Sequence, residues 1–189
     1  MEKIKILALF GKSGSGKDTI QKWMVSTLPN TKGIISCTTR PKRDYEIDGI
    51  DYHFLLPTEF AKKVLDGTML EATSFNDWFY GTPIDELDKN NINVGVFNIQ
   101  GIECLLGDSR LDVLPVMVEV GDVIRLKRSL SRENNPNCKE ICRRFLTDEK
   151  DFSEIPFEYI LFDNSRKQAE FYNLQNIPQV AAFMNLGQK

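Results

Sequence analysis

The sequence predicts an α/β fold of three layers, a central parallel sheet between helices, with an inserted mixed-sheet segment and a helical lid. Three observations predict it. Residues 94–98 and 113–120 are apolar, β-branched runs of the kind buried on both faces of a parallel sheet. Helical periodicity separates such runs, first in Ile20, Trp23, Met24 and Leu28. An apolar strand over residues 3–10 passes through a glycine-rich turn straight into that first helix.

Each element follows from local signals. After the first helix, Pro29 to Lys32 makes a turn and residues 33–37 a short strand. Residues 51–56 form another strand, and 57–66 a helix begun by Pro57 or Thr58 and ended by Gly67. Residues 69–75 and 78–81 flank Asn76-Asp77, the pattern of a hairpin turn. Thr82-Pro83 reads as an N-cap followed by proline at the first helical position. The runs at 94–98 and 113–120 are core strands. Residues 122–132 and 138–150 are helices rich in Lys and Arg, split by the breaker cluster Glu133-Asn134-Asn135-Pro136-Asn137. Residues 159–162 form a last strand, and helical patterns interrupted at Ile177-Pro178 fill the C-terminus. There is no internal repeat and no low-complexity tract. The expected organisation is a single domain over residues 1–189: a core of 1–33 and 90–189, an insertion at 34–89, and a basic two-helix lid at about 122–147.

Composition narrows the function. At 189 residues the chain buries one substantial core. The net charge of −3 gives no general basic field, so nucleic acid is not an expected partner. No apolar run reaches the length of a membrane helix, and a cytoplasmic protein with no membrane partner is expected. Cys37, Cys104, Cys138 and Cys142 form no CxxC pair, so reduced thiols are the default. His53 is the only histidine, which sets aside a histidine triad or cluster.

The glycine-rich turn carries the chemistry. Gly11-x-x-x-x-Gly16-Lys17, between a strand and a helix, is the P-loop pattern. Its glycines let successive backbone N–H groups of Gly11, Ser13, Gly14, Ser15 and Gly16 converge on one anion, and the helix adds its positive N-terminal end. Lys17 supplies a point charge for the β- and γ-phosphates of a nucleoside triphosphate. The usual residue after the lysine is a Ser or Thr that holds Mg²⁺. Here Asp18 stands there and Thr19 follows, and Asp18 is a harder, charged ligand for the same ion.

The insertion points to the second substrate. Ser36-Cys37-Thr38-Thr39-Arg40-Pro41-Lys42-Arg43, then Asp51-Tyr52-His53-Phe54, Leu70-Glu71 and Phe79-Tyr80-Gly81-Thr82 resemble the guanylate kinase family without a gap from Ser36 to Thr82. The resemblance implies a P-loop kinase fold that transfers the γ-phosphoryl of ATP to GMP or dGMP, with Mg²⁺. By resemblance, Arg40, Arg43, Tyr52 and Tyr80 grip the acceptor phosphate, and forked guanidiniums with phenols suit a dianion. Glu71 matches the acid that accepts from guanine N1–H and the 2-amino group, and Ser36 and Thr82 the hydroxyls that complete the guanine contacts. In the lid, Arg128, Arg132 and Arg144 fall at or near the family's arginines, which close over ATP and neutralise the phosphoryl in flight.

Two departures stand against the family pattern. The strand that carries D-x-D before Q-G reads Val96-Phe97-Asn98-Ile99-Gln100-Gly101, so Val96 and Asn98 replace both aspartates. Asp163-Asn164 stands where the family has Asn-Asp beside the adenine pocket. Asp18 is expected to restore part of the lost metal-organising charge, and Asn98, placed among the acceptor-binding residues, to loosen base choice. A kinase of different or broader base specificity and a non-catalytic interaction module therefore stand beside the guanylate kinase reading. Monomer and homodimer are both compatible with the sequence.

Overall fold

In a computed structural model, residues 3–75, 77–132, 135–165 and 174–185 are described. Five parallel strands make the main sheet, in the order β2-β7-β1-β8-β9. They are β1 (Ile4–Phe10), β2 (Thr31–Gly33), β7 (Ile92–Val96), β8 (Leu111–Glu119) and β9 (Ile160–Asp163). Strand β1 lies at the centre, with Leu7 beside Val94 of β7 and Leu114 of β8. Its residues alternate between two cores. Leu7 and Leu9 join Ile20 and Met24 of α1 (Lys17–Thr27) and Val180 of α6 (Pro178–Phe183). Ile6, Ala8 and Phe10 join Ile102 and Leu105 of α3 (Ile99–Gly107) on the other face. All five β1 residues are fully buried, as a strand between two helical layers requires.

The second sheet has the order β4-β3-β6-β5 and mixed pairing. It comprises β3 (Cys37–Thr38), β4 (His53–Phe54), β5 (Met69–Phe75) and β6 (Trp78–Pro83), and α2 (Pro57–Leu65) packs Phe60 beneath it. Two further helices, α4 (Asp122–Leu130) and α5 (Cys138–Asp151), pair through Arg125 and Asp148 and both meet the loop that follows β1 at Ser13. Among the described residues, no helix is long and apolar enough to cross a membrane.

Several elements differ from the sequence expectation. The strand expected at 33–37 divides into β2 and β3, because Ile34 and Ile35 lead from one sheet to the other. Ile34 N–H still bonds Val94 C=O at 2.9 Å. The strand expected at 51–56 shrinks to two residues. Thr82-Pro83 does not start a helix. Both residues end β6, where Thr82 pairs with Glu71 and Pro83 with Met69, and only a 3₁₀ turn at Ile84–Glu86 follows. The basic helix expected to reach residue 132 ends at Leu130. Helix α3 was not expected; its glycines at 101 and 107 mask its period, and Asn98 caps it. Asp77 has the positive φ of a tight turn, while its partner Asn76 lies outside the described residues. So do residues 133 and 134 of the breaker cluster and the helical pattern at 166–173.

Candidate active site

The phosphate loop leaves the carboxyl end of β1, the central strand, where the chain turns first to β2 and β7 and later to β8 and β9. This is the switch point at which open parallel sheets bind ligands. Gly14 and Gly16 have φ of +80° and +97°, and a Cβ on Gly14 would lie 2.7 Å from the Arg125 carbonyl. Only glycine lets the loop curl this closely under α4. The Lys17 ammonium folds over the loop, donating to the Gly11 and Lys12 carbonyls at 2.7 and 3.1 Å. Burial lowers its pKa, together with the charges of Arg132 and Arg125, while Asp18 and Asp148 oppose the shift. Asp18 and Thr19 are exposed on the first turn of α1. The Asp18 charge opposes the lowering of the Lys17 pKa and adds to the raising of the Tyr52 pKa.

Lys17 lines a cleft of about 620 Å³ together with Ser36, Tyr52, Glu71, Tyr80 and Asn98. Residues predicted from two distant parts of the sequence thus share one cavity. The Glu71 carboxyl, 7 % exposed, accepts the Thr82 hydroxyl at 2.8 Å. Burial pushes its pKa up to about 7 against the pull of the Thr82 hydrogen bonds. Tyr52 and Tyr80 meet edge to face at 6.3 Å, and burial raises the Tyr52 pKa, with Asp18 adding to it. The Thr82 hydroxyl is committed to Glu71, and so orients the acid.

Arg40 and Arg43 are placed differently from one another. Arg40 is buried, stacks on Tyr52 and Phe54, and makes a forked pair with Glu46 through two hydrogen bonds of 2.8 Å. Burial works against its charge, but Glu46 outweighs this and raises the Arg40 pKa. Arg43 reaches a small pocket of about 90 Å³ together with Arg132 and Arg144. Three arginines predicted separately therefore converge, two from the lid region and one from the insertion. Arg128 lies elsewhere: its guanidinium donates to the Ser15 and Asn164 carbonyls at 3.1 and 3.3 Å, on the outer side of the phosphate loop. Asn164 also donates its side-chain amide to Ser15 C=O at 2.7 Å.

Sequence reasoning missed a buried network under the loop. Asp148 of α5 accepts from Ser13 N–H at 2.7 Å and from Arg125 of α4 at 3.0 Å. Arg125 is 1 % exposed and lies over the Phe145 ring. Glu46 was likewise missed. Both acids sit in charged stretches that read as solvated, and only the fold shows them buried; the spacing of Glu46 from Arg40 and Arg43 was the single available signal.

A phosphate loop at the switch point of a parallel sheet, with an insertion and an arginine cluster facing it, defines an ATP-dependent nucleoside monophosphate kinase. The family model described as "Guanylate kinase" matches residues 3–177. A curated guanylate kinase of Helicobacter hepaticus is 30 % identical over 172 residues, covering 87 % of this chain and 84 % of that protein. One from Paramagnetospirillum magneticum is 31 % identical over 162 residues, covering 82 % and 75 %. The crystal structure of guanylate kinase from Anaplasma phagocytophilum superposes with a TM-score of 0.70 at 19 % identity, over 96 % of this chain and 88 % of that one. The chain belongs to the guanylate kinase family.

Proposed function

We propose that the protein transfers the γ-phosphoryl group of ATP to GMP or dGMP, giving GDP or dGDP. The observation that carries the reading is one cleft lined by both Lys17 of the phosphate loop and the buried Glu71 carboxyl of β5. Guanine offers N1–H and a 2-amino group to a carboxylate. Adenine has an acceptor at N1 and lacks that amine, so it would leave a buried acid unpaired. Ser36 lines the same cleft for the remaining base contacts. Tyr52 and Tyr80, with Arg40 and Arg43, would hold the acceptor phosphate, and Glu46 would fix the fork of Arg40.

The donor phosphates would lie on the backbone of residues 13–19, with Lys17 shared between β- and γ-oxygens. Arg132 and Arg144, already beside Arg43, would neutralise the phosphoryl in flight. No general base is needed, since the acceptor phosphate is itself an anion. Closure would exclude water and align the two oxygens in line. Arg128, bridging the Ser15 carbonyl of the loop and the Asn164 carbonyl, would steady the phosphate loop.

The donor set suits Mg²⁺ carried with the nucleotide. Asp18 and Thr19 offer hard oxygens on the first turn of α1, and among the described residues no group of three His, Cys, Asp or Glu side chains is placed to form a dedicated cage. The ion would supply charge neutralisation of the phosphate oxygens. Wider base choice is the second reading, and Asn98 favours it, because its side chain is committed to Gly101 and Thr73.

ADP production from ATP·Mg²⁺ with each common nucleoside and deoxynucleoside monophosphate tests the reading. Turnover is expected with GMP and dGMP, and Lys17→Met should lower it by about 10³-fold or more with the fold intact. Activity surviving Lys17→Met would refute the assignment; turnover on other bases would move the chain to the second reading.

A further inference from the structure

We propose that Thr73, oriented by Asn98, is a specificity-determining hydrogen-bond donor to the acceptor nucleoside, an inference that rests on the kinase reading above. Asn98 is the N-cap of α3, and its Oδ1 accepts the Gly101 N–H at 2.7 Å. That bond decides the orientation of the amide, so the Nδ2 end faces β5 and donates to Thr73 Oγ1 at 2.8 Å. A threonine hydroxyl that accepts still has its own hydrogen to place. Among the described residues the Asn98 amide is the hydrogen-bond partner of Thr73 Oγ1, and no acceptor receives the hydroxyl hydrogen. Thr73 lines the cleft, so the hydrogen is presented to whatever the cleft holds.

The position on β5 gives this donor its meaning. Glu71 and Thr73 are two residues apart and face the same side of the strand, while Ala72 and Ser74 between and beyond them are exposed. The cleft thus offers a carboxylate and, about 7 Å along the strand, a hydroxyl donor. A nucleoside whose donor edge meets Glu71 would bring an acceptor atom towards Thr73, from a ring nitrogen or carbonyl of the base or from a ribose oxygen. Asn98 sets the sign of this contact. An aspartate there would still cap α3, but its second oxygen would draw the Thr73 hydrogen to itself and turn the hydroxyl's lone pairs on the cleft. Asparagine and threonine therefore act as one unit in which the amide makes the hydroxyl a donor.

Two variants test the pair, Thr73→Val, which keeps the shape and removes the hydroxyl, and Asn98→Asp, which keeps the cap and reverses the hydroxyl. Steady-state kinetics and calorimetric binding are measured on the monophosphate the wild-type enzyme phosphorylates best, GMP by expectation, and on its deoxy counterpart. Thr73→Val should lower kcat/KM for the acceptor about five- to tenfold while KM for ATP stays unchanged. Asn98→Asp should do the same, and the double variant should be no worse than Thr73→Val alone. An equal loss for ribo- and deoxy-substrates places the acceptor atom on the base; a loss confined to the ribo-substrate places it on the 2′-oxygen. Unchanged acceptor kinetics in Thr73→Val, or an Asn98→Asp loss that persists when Thr73 is already valine, would overturn the proposal and leave the kinase reading standing. A wild-type protein that phosphorylates no monophosphate would overturn both.

Discussion

Glu71 is a carboxyl whose pKa its surroundings hold close to the middle of the physiological range, and under the proposed function that would make acceptor binding sensitive to pH. Its pKa of about 7 reflects burial first, with the Thr82 hydrogen bonds pulling the other way. In the folded protein the neutral acid is therefore favoured between the ordinary carboxylate pKa and about 7. The stability held by the neutral acid is therefore fully present below the unfolded value and is lost as pH rises through about 7. For the reaction the sign is opposite, because guanine donors need the carboxylate. Acceptor kcat/KM should rise from pH 5.5 to 8 with a step near 7, and Glu71→Gln should remove that step while leaving the one from the acceptor phosphate, expected near a pKa of about 6. A profile with the same two steps in Glu71→Gln would show that Glu71 does not read the base. At this scale the sequence was informative where a side chain's role depends on spacing: Ser36, Tyr52, Glu71, Tyr80 and Lys17 line the same cavity. It was silent where burial decides. Glu46 and Asp148 are ordinary acids in polar stretches until the fold encloses them against Arg40 and Arg125.

Helix α5 shows how an element carries several of these contacts at once. Asn137 caps it by accepting from Glu140 N–H at 3.1 Å, and Glu140 in turn receives Arg143 and Arg144 at 2.7 Å. The hydrogen bonds from Arg143 hold the Glu140 carboxyl down at about 2, so the cluster stays charged through the working pH range. At its other end Asp148 ties α5 to Ser13 of the phosphate loop and to Arg125 of α4. Removing one partner of a buried ion pair costs about 3–5 kcal/mol, less where the survivor keeps other partners. Arg125 keeps Asp122, Glu149 and the Ser13 carbonyl, so Asp148→Asn should cost about 2 kcal/mol in urea unfolding. Pairing Arg125→Met with Asp148→Leu should cost less than the sum of the two single changes. Additive losses would mean that the two residues act independently. The limits of α5 were legible from the breaker cluster that precedes it and from its Lys- and Arg-rich helical pattern. Helix α3 was not, because two glycines in nine residues hide its period and its cap, Asn98, reads as the end of a strand.

At the scale of the molecule the two proposed half-sites lie on different sheets: the phosphate loop belongs to the five-stranded sheet, and Glu71, Thr73 and Tyr80 to the four-stranded one. The two are joined by the segments around Ile35 and Glu86, where the Glu86 carboxylate takes Ile35 N–H at 3.4 Å and His53 Nε2 at 3.0 Å. This division was visible in the sequence as an insertion between core strands, since apolar runs of the parallel type bracket a sheet-rich stretch of short strands. Where the chain passes from one sheet to the other was not visible, because Ile34 and Ile35 have strand composition and are held by tertiary bonds alone. Separate half-sites imply separable binding. A ligand at a hundred times its dissociation constant stabilises the fold by about 2.7 kcal/mol, which for a chain of this size raises Tm by about 5–10 °C. ATP·Mg²⁺ alone and GMP alone should each give such a shift, without turnover because each lacks its partner. Lys17→Met should lose most of the ATP shift and keep the GMP shift, since Lys17 stands on the loop and the proposed base-reading residues Glu71 and Thr82 stand on β5 and β6. Thermal melts of the wild type and the variant with each nucleotide decide it. If Lys17→Met melts at the wild-type temperature without ligand yet loses both shifts, the acceptor site depends on the phosphate loop, and the two sheets bind as one unit.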